Sequence, residues 1–154
     1  MTAKTLVDHV RDNSSDPHNP SAEELTALID RVRNVAVVGI SRDPTKAARR
    51  VPSYMAAKGY QIIPVNPFAE RILGRNAFAT LGEVAEPVDM VLVFRPSAEA
   101  GEVMRQAATR PERPAIWLQE DIRDDAVAAQ LREEGLTVVQ DLCFYKTHQA
   151  VLRA

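Results

Sequence analysis

The chain has 154 residues, with 19 basic against 21 acidic side chains and a formal net charge of −2. That length suits one domain with a single core, and the near-balance of charge excludes a protein steered as a whole toward nucleic acid or an anionic membrane, so any anion site must be local. A single cysteine, Cys143, excludes an internal disulfide, and with no signal-like apolar run at the N-terminus and no run near the roughly 20 residues of a membrane span, a cytoplasmic setting is expected.

Residues 1–20 are rich in turn formers and, apart from Leu6, Val7 and Val10, poor in periodic apolar positions. They read as a flexible leader ahead of a domain over 21–154. Ser21 and Glu24 form a capping box, and Leu25, Leu28, Ile29 and Val32 follow on one helical face. The apolar run at 35–38 then reads as a first strand opening on Gly39. After a polar loop, Pro52 fixes a helix start near Arg50 or Val51, since proline is tolerated only in a first turn, and the helix ends at Lys58-Gly59. Residues 60–65 form a second strand closed by Asn66-Pro67, and 88–94 a third. Residues 97–108 form a helix with Ala100, Val103, Met104 and Ala107 on its inner face. Residues 115–118 form a fourth strand. Asp124 caps a helix carrying Val127, Ala128 and Leu131 inward, stopped by Gly135, and 136–139 is a fifth strand. Buried β-branched strands alternating with helices predict an α/β, three-layer domain with a five-stranded, mostly parallel, doubly wound sheet.

In such a sheet ligands bind beyond the carboxyl ends of the strands, where strand order reverses. The loops from Gly39 to Arg50, Asn66 to Gly74, Arg95 to Ser97 and Gln119 to Arg123 meet that rule. A dinucleotide fingerprint needs three glycines, and only Gly39 is present; Ser41 and Pro44 stand where the others would be. The loop offers Ser41, Thr45 and Lys46, with Arg49 and Arg50 beside them, ahead of a helix N-terminus suited to a phosphate. The alternative is a solvated surface loop. Asn66 replaces the carboxylate that holds a ribose in NAD proteins, which argues against NAD. Arg71 or Arg75 either meets a ribose phosphate or lies on the surface. Trp117 and Phe94 at strand ends either flank an adenine or pack in the core. His9, His18 and His148 lack metal-binding spacing, so no metal is expected. Cys143 with His148 as base is conceivable on irregular backbone, against the simpler reading of a small core residue.

These segments in order, VAVVGISRDPTKAARRVPSYMAAKGYQIIPVNP, LGEVAEPVDMVLVFRPS, IWLQEDI and GLTVVQDLC, carry a resemblance. From about Ala22 onward the chain resembles the small bacterial CoA-binding proteins, single Rossmann-like domains related to the CoA-binding domain of the succinyl-CoA synthetase alpha subunit. The resemblance implies that Ser41 and Lys46 after Gly39 face the CoA phosphates and that Asn66-Pro67 lies near the adenosine. It implies further that Val93, Phe94, Arg95 and Pro96 run along the ligand, and that Leu118 and Glu120 line the site. Cys143 matches a recurrent cysteine of the family, near the pantetheine thiol, where a mixed disulfide with CoA could form. The chain departs from its relatives at Asp121, where they commonly have Gly, and at Ala48, where many have a small hydroxyl. A carboxylate at 121 would repel an anionic ligand unless it points away or pairs with Arg123. The synthetase's second domain, with its phosphorylated histidine, has no counterpart in this sequence, so ligase activity is not expected. The implied function is non-catalytic binding of coenzyme A or an acyl-CoA. The alternatives are an NAD(P)-binding oxidoreductase or redox sensor on the same fold, and a thiol switch through Cys143.

Overall fold

The computed structural model describes residues 4–154, so residues 1–3 of the expected leader lie outside the described residues. In chain order the elements are α1 (Leu6–Asp12), α2 (Ala22–Arg31), β1 (Asn34–Val38), α3 (Ala47–Ala57), β2 (Gln61–Val65), β3 (Arg71–Ile72), β4 (Arg75–Asn76), β5 (Met90–Val93), α4 (Ser97–Ala108), β6 (Ala115–Leu118), α5 (Asp125–Glu133), β7 (Val138–Val139) and α6 (Phe144–Arg153). No described helix is long and apolar enough to cross a membrane.

Five of the strands make one parallel sheet in the order β2-β1-β5-β6-β7. Successive side chains on a strand point to opposite faces, so a strand covered on both sides must be apolar at every position. Val35, Val37, Leu92 and Trp117 pack on one face with residues of α1, α2, α3 and α6. Ala36, Val91, Ile116 and Leu118 pack on the other with residues of α4 and α5. This is the doubly wound, Rossmann-like α/β architecture. Val38 pairs with Val65 on one side and Val93 on the other, so three strand ends finish level. The strand order reverses between β1 and β5, and the crevice opens there.

Four features differ from the sequence reading, each for a physical reason. The segment ahead of Ser21 contains α1, held by a capping box in which Asp8 takes the part expected of Glu. The turn that follows is tied to the far end of the chain: Asn19 Nδ2 and Ser14 Oγ both donate to the Gln140 carbonyl, at 2.9 and 2.8 Å. Helix α3 begins at Ala47, which puts Pro52 inside it. Proline cannot donate to the carbonyl four residues back, and that freed carbonyl, of Ala48, accepts instead from the Ser41 amide at 3.0 Å. The missing helical bond thereby pins the loop after Gly39. Strands β3 and β4 form a small antiparallel hairpin. Finally, α6 covers residues to which the sequence reading gave no element, and it turns Thr147 and His148 inward with Phe144 and Ala150.

His148 is 7% exposed, and its Nδ1 lies 2.7 Å from the Tyr54 hydroxyl. Which of the two groups donates is set by the tautomer of the ring. Burial, reinforced by the Lys58 charge, holds the His148 pKa below the usual 6.5. The unfolded chain therefore binds the extra proton first as pH falls, and stability drops between about 6.5 and the lower folded pKa, then levels off. Urea unfolding should accordingly give a lower free energy at pH 5.5 than at 7.5, and His148→Gln should flatten that difference. An unchanged slope in the variant would assign the pH dependence to other groups.

Candidate functional site

Gly39 ends β1 with φ +87, a left-handed conformation. A Cβ there would sit 2.9 Å from Arg95 Cδ and 3.3 Å from the Phe94 carbonyl carbon. Glycine is thus required twice, for its backbone angle and for the close approach of the β5 end. The Arg95 stem lies over this turn, and its guanidinium pairs with Glu99 at 2.5 Å. Beyond Gly39, Ser41 Oγ accepts from the Asp43 amide, and Asp43 Oδ1 accepts from both the amide and the hydroxyl of Thr45. Those two bonds from Thr45 hold the Asp43 carboxyl below the usual carboxylate range. The Ser41 and Thr45 side chains therefore shape the loop from within.

The free donors lie one step further on. Lys46 is the N-cap of α3 and makes no side-chain cap bond. Arg49 and Arg50 amides donate to the Lys46 carbonyl, whereas the Ala47 and Ala48 amides have no partner among the described residues. Neither Lys46 nor Arg50 forms an ion pair there. In the same turn Arg49 Nε is buried without a hydrogen-bond partner. Four helices begin at this edge of the sheet. Asp124 caps α5, but α3, α4 and α6 start at Lys46, Pro96 and Cys143 with no side-chain cap. Uncapped amides and the positive end of the helix dipole favour an anion.

The first turns of α3 and α6 face a common cavity of 840 Å³, whose walls include Arg50, Val51, Phe94, Gln119, Glu120, Ile122, Cys143, Tyr145 and Lys146. The wall is part apolar, part charged. Lys146 pairs with Glu120 at 2.9 Å, and that hydrogen bond raises the lysine pKa above its ordinary value. A second depression, of 780 Å³, lies beside Pro87 and Arg110. There the arginine is spent on the carbonyls of Leu81, Val84 and Glu86.

Of the residues expected at the site, Arg50, Phe94, Glu120 and Cys143 line the cavity. Gly39, Ser41, Thr45 and Lys46 form the loop that leads into α3. Asn66 joins two loops, donating to the Ile40 carbonyl at 2.8 Å and accepting from the Phe68 amide at 2.7 Å. Pro67 and Pro96 are exposed on neighbouring loops. Leu118 is fully buried in the core with Val93 and Ile116, away from the cavity wall. Trp117 is equally buried, its Nε1 donating to the Leu142 carbonyl and its ring against Phe144; it is a core residue. Arg71 and Arg75 are engaged locally, with Gly74 and Asn76 and with Ile62 and Glu86.

Asp121 lines the cavity at φ 67, the left-handed region that glycine adopts freely and Asp tolerates. Arg123 pairs with Asp125 rather than with it. Cys143 and His148 do not form a dyad. On α6 five residues span about 500° of rotation at 100° each, and His148 turns to Tyr54. Gln119, Tyr145 and Lys146 escaped the sequence reading as site residues. The last two lie in the first turn of α6, a helix whose inner face carries Thr147 and His148, and only the flagging of the 119–123 loop pointed toward the first.

Residues 33–149 match the model of a family described as the CoA binding domain. A Bacillus subtilis (strain 168) protein, Uncharacterized protein YneT, is 35% identical over 130 residues, which span 84% of this chain and 96% of the relative. Acetate–CoA ligase (ADP-forming) II of Archaeoglobus fulgidus is 29% identical over 86 residues, spanning 54% of this chain and 13% of the ligase. A solved structure from Thermus thermophilus, cell-free ID.343, superposes with a TM-score of 0.79 at 35% identity, covering 86% of this chain and 99% of that one.

Proposed function

The chain belongs to the CoA binding domain family, and on that premise we propose that it binds coenzyme A or an acyl-CoA, without turnover, in the cavity between the first turns of α3 and α6. The observation that carries this reading is the convergence of the first turns of α3 and α6, whose N-cap residues make no side-chain cap bond, on one 840 Å³ cavity at the sheet's switch point. In it the pyrophosphate meets the Ala47 and Ala48 amides, with Lys46 and Arg50 as counter-charges. The pantetheine arm runs past Val51, Phe94 and Ile122 toward Cys143. A dinucleotide fits less well. One glycine replaces three, and Asn66, where a ribose-binding carboxylate would stand, is already committed to Ile40 and Phe68.

Ligand at about 100 times its Kd stabilises a fold by about 2.7 kcal/mol, a rise of roughly 5 to 10 °C in Tm for a domain of this size. Ligand-free protein should show that rise with CoA and a smaller one with NAD(H) or NADP(H). No rise with CoA, or a larger one with a dinucleotide, would reverse the assignment.

A further inference from the structure

We propose that the inner end of the cavity reads a carbonyl, so that the preferred ligand is an acyl thioester of CoA rather than the free thiol; this rests on the CoA reading above. The residue that does the reading is Gln119, which follows β6, lines the cavity and is 4% exposed. Its Oε1 accepts from the Phe144 amide at 2.8 Å. Only the oxygen of a carboxamide can meet a backbone N–H, which settles the orientation of the group. The Nε2 donors then have no partner among the described residues. Beside them, the Tyr145 and Lys146 amides, in the first turn of α6, have no acceptor within their helix. Glu120, the nearby carboxylate, is taken by Lys146.

Gln119 Nε2 and these two amides are therefore unmet donors, and the Asp121 carboxylate on the same wall is left without an ion pair among the described residues. A thioester carbonyl accepts and does not donate, which is what those donors lack. A thiol is only a weak partner for them. On the CoA reading above, the sulfur end of the ligand lies toward Cys143, at the N-cap of α6 and on the same wall.

The test compares acetyl-CoA with S-ethyl-CoA, which replaces the carbonyl by a methylene at nearly constant size, by calorimetric titration of the full chain. One neutral hydrogen bond is worth up to roughly tenfold in affinity, so acetyl-CoA should bind about tenfold more tightly than the thioether. Gln119→Glu retains an oxygen for the Phe144 amide and removes the donor. It should erase the preference; the added charge weakens every anionic ligand alike, adenosine 3′,5′-bisphosphate included, so the ratio of acetyl-CoA to S-ethyl-CoA affinity is the quantity read. Equal binding of acetyl-CoA and S-ethyl-CoA by the wild type overturns this proposal alone. A preference that survives in Gln119→Glu also overturns it, by removing Gln119 from its cause. If none of the three ligands binds the wild type, the CoA reading itself falls, and this proposal with it.

Discussion

Gly39→Val is expected to destabilise the fold by about 3 kcal/mol and to abolish the CoA-dependent rise in Tm. Two effects combine. The backbone is at φ +87, where a β-branched residue is strained by about 1 to 3 kcal/mol. The new Cβ would meet Arg95 Cδ at 2.9 Å and the Phe94 carbonyl carbon at 3.3 Å. The arginine stem can swing away, but the β5 backbone can retreat only by disturbing its pairing with β1, and overpacking of that kind costs about 1 to 3 kcal/mol. The loop after Gly39 sets where the α3 amides point, so the loss of binding should exceed what the stability loss alone explains. Circular dichroism melts with and without CoA check both halves. A variant within 0.5 kcal/mol of wild type would mean that the turn is not the constrained point described above.

Asp16→Ala should cost a similar amount, at a place remote from the cavity. Asp16 is 3% exposed, and its carboxylate accepts from the His18 amide at 2.9 Å, Gln140 Nε2 at 2.9 Å and Arg132 at 3.1 Å. Burial alone would raise its pKa. The hydrogen bonds and the guanidinium outweigh it and hold the carboxyl below its usual 3.8. Truncation would take the carboxylate from Arg132, which keeps the Val138 carbonyl, and from Gln140, which keeps Asp125, in a largely enclosed site; about 3 kcal/mol is expected, or roughly 6 to 12 °C in Tm. Asp16→Asn, which keeps one oxygen, should lose less. Because the folded pKa is depressed, this contribution is present above about 3.8 and disappears as pH falls through the folded value. That window is separate from the one assigned to His148. Urea unfolding of both variants at pH 7 is the check, and equal losses in alanine and asparagine would shift the weight from the carboxylate to the turn itself.

These two sites also mark what the sequence could and could not disclose. Gly39 was legible because an apolar run ending in a lone glycine is a local pattern. The alternation of helices and strands was legible for the same reason: a sheet covered on both faces leaves strands such as Ala115–Leu118 apolar at every position. Asp16 was not, because two of its three partners lie 116 and 124 residues away and a buried polar network looks like a solvated loop when read along the chain. Helix α6 was hidden in the same way by the inward-facing Thr147 and His148. With it went the neighbourhood of Tyr145 and Lys146, although Cys143, Glu120, Phe94 and Arg50 were read from the strand ends and the family pattern. Pro52 misled in the opposite direction. It suggested a helix boundary, whereas the fold uses its missing N–H to free a carbonyl for Ser41.

Where an anionic ligand meets the backbone can be read from an amide NMR titration of ligand-free protein with CoA. The cross-peaks of Ala47, Ala48, Tyr145 and Lys146 should move together, with a shared saturation curve, while Asp89 and Thr137 at the opposite edge of the sheet stay still. Unmoved helix-terminal amides at saturating CoA, or shifts concentrated at that opposite edge, would contradict the proposed site.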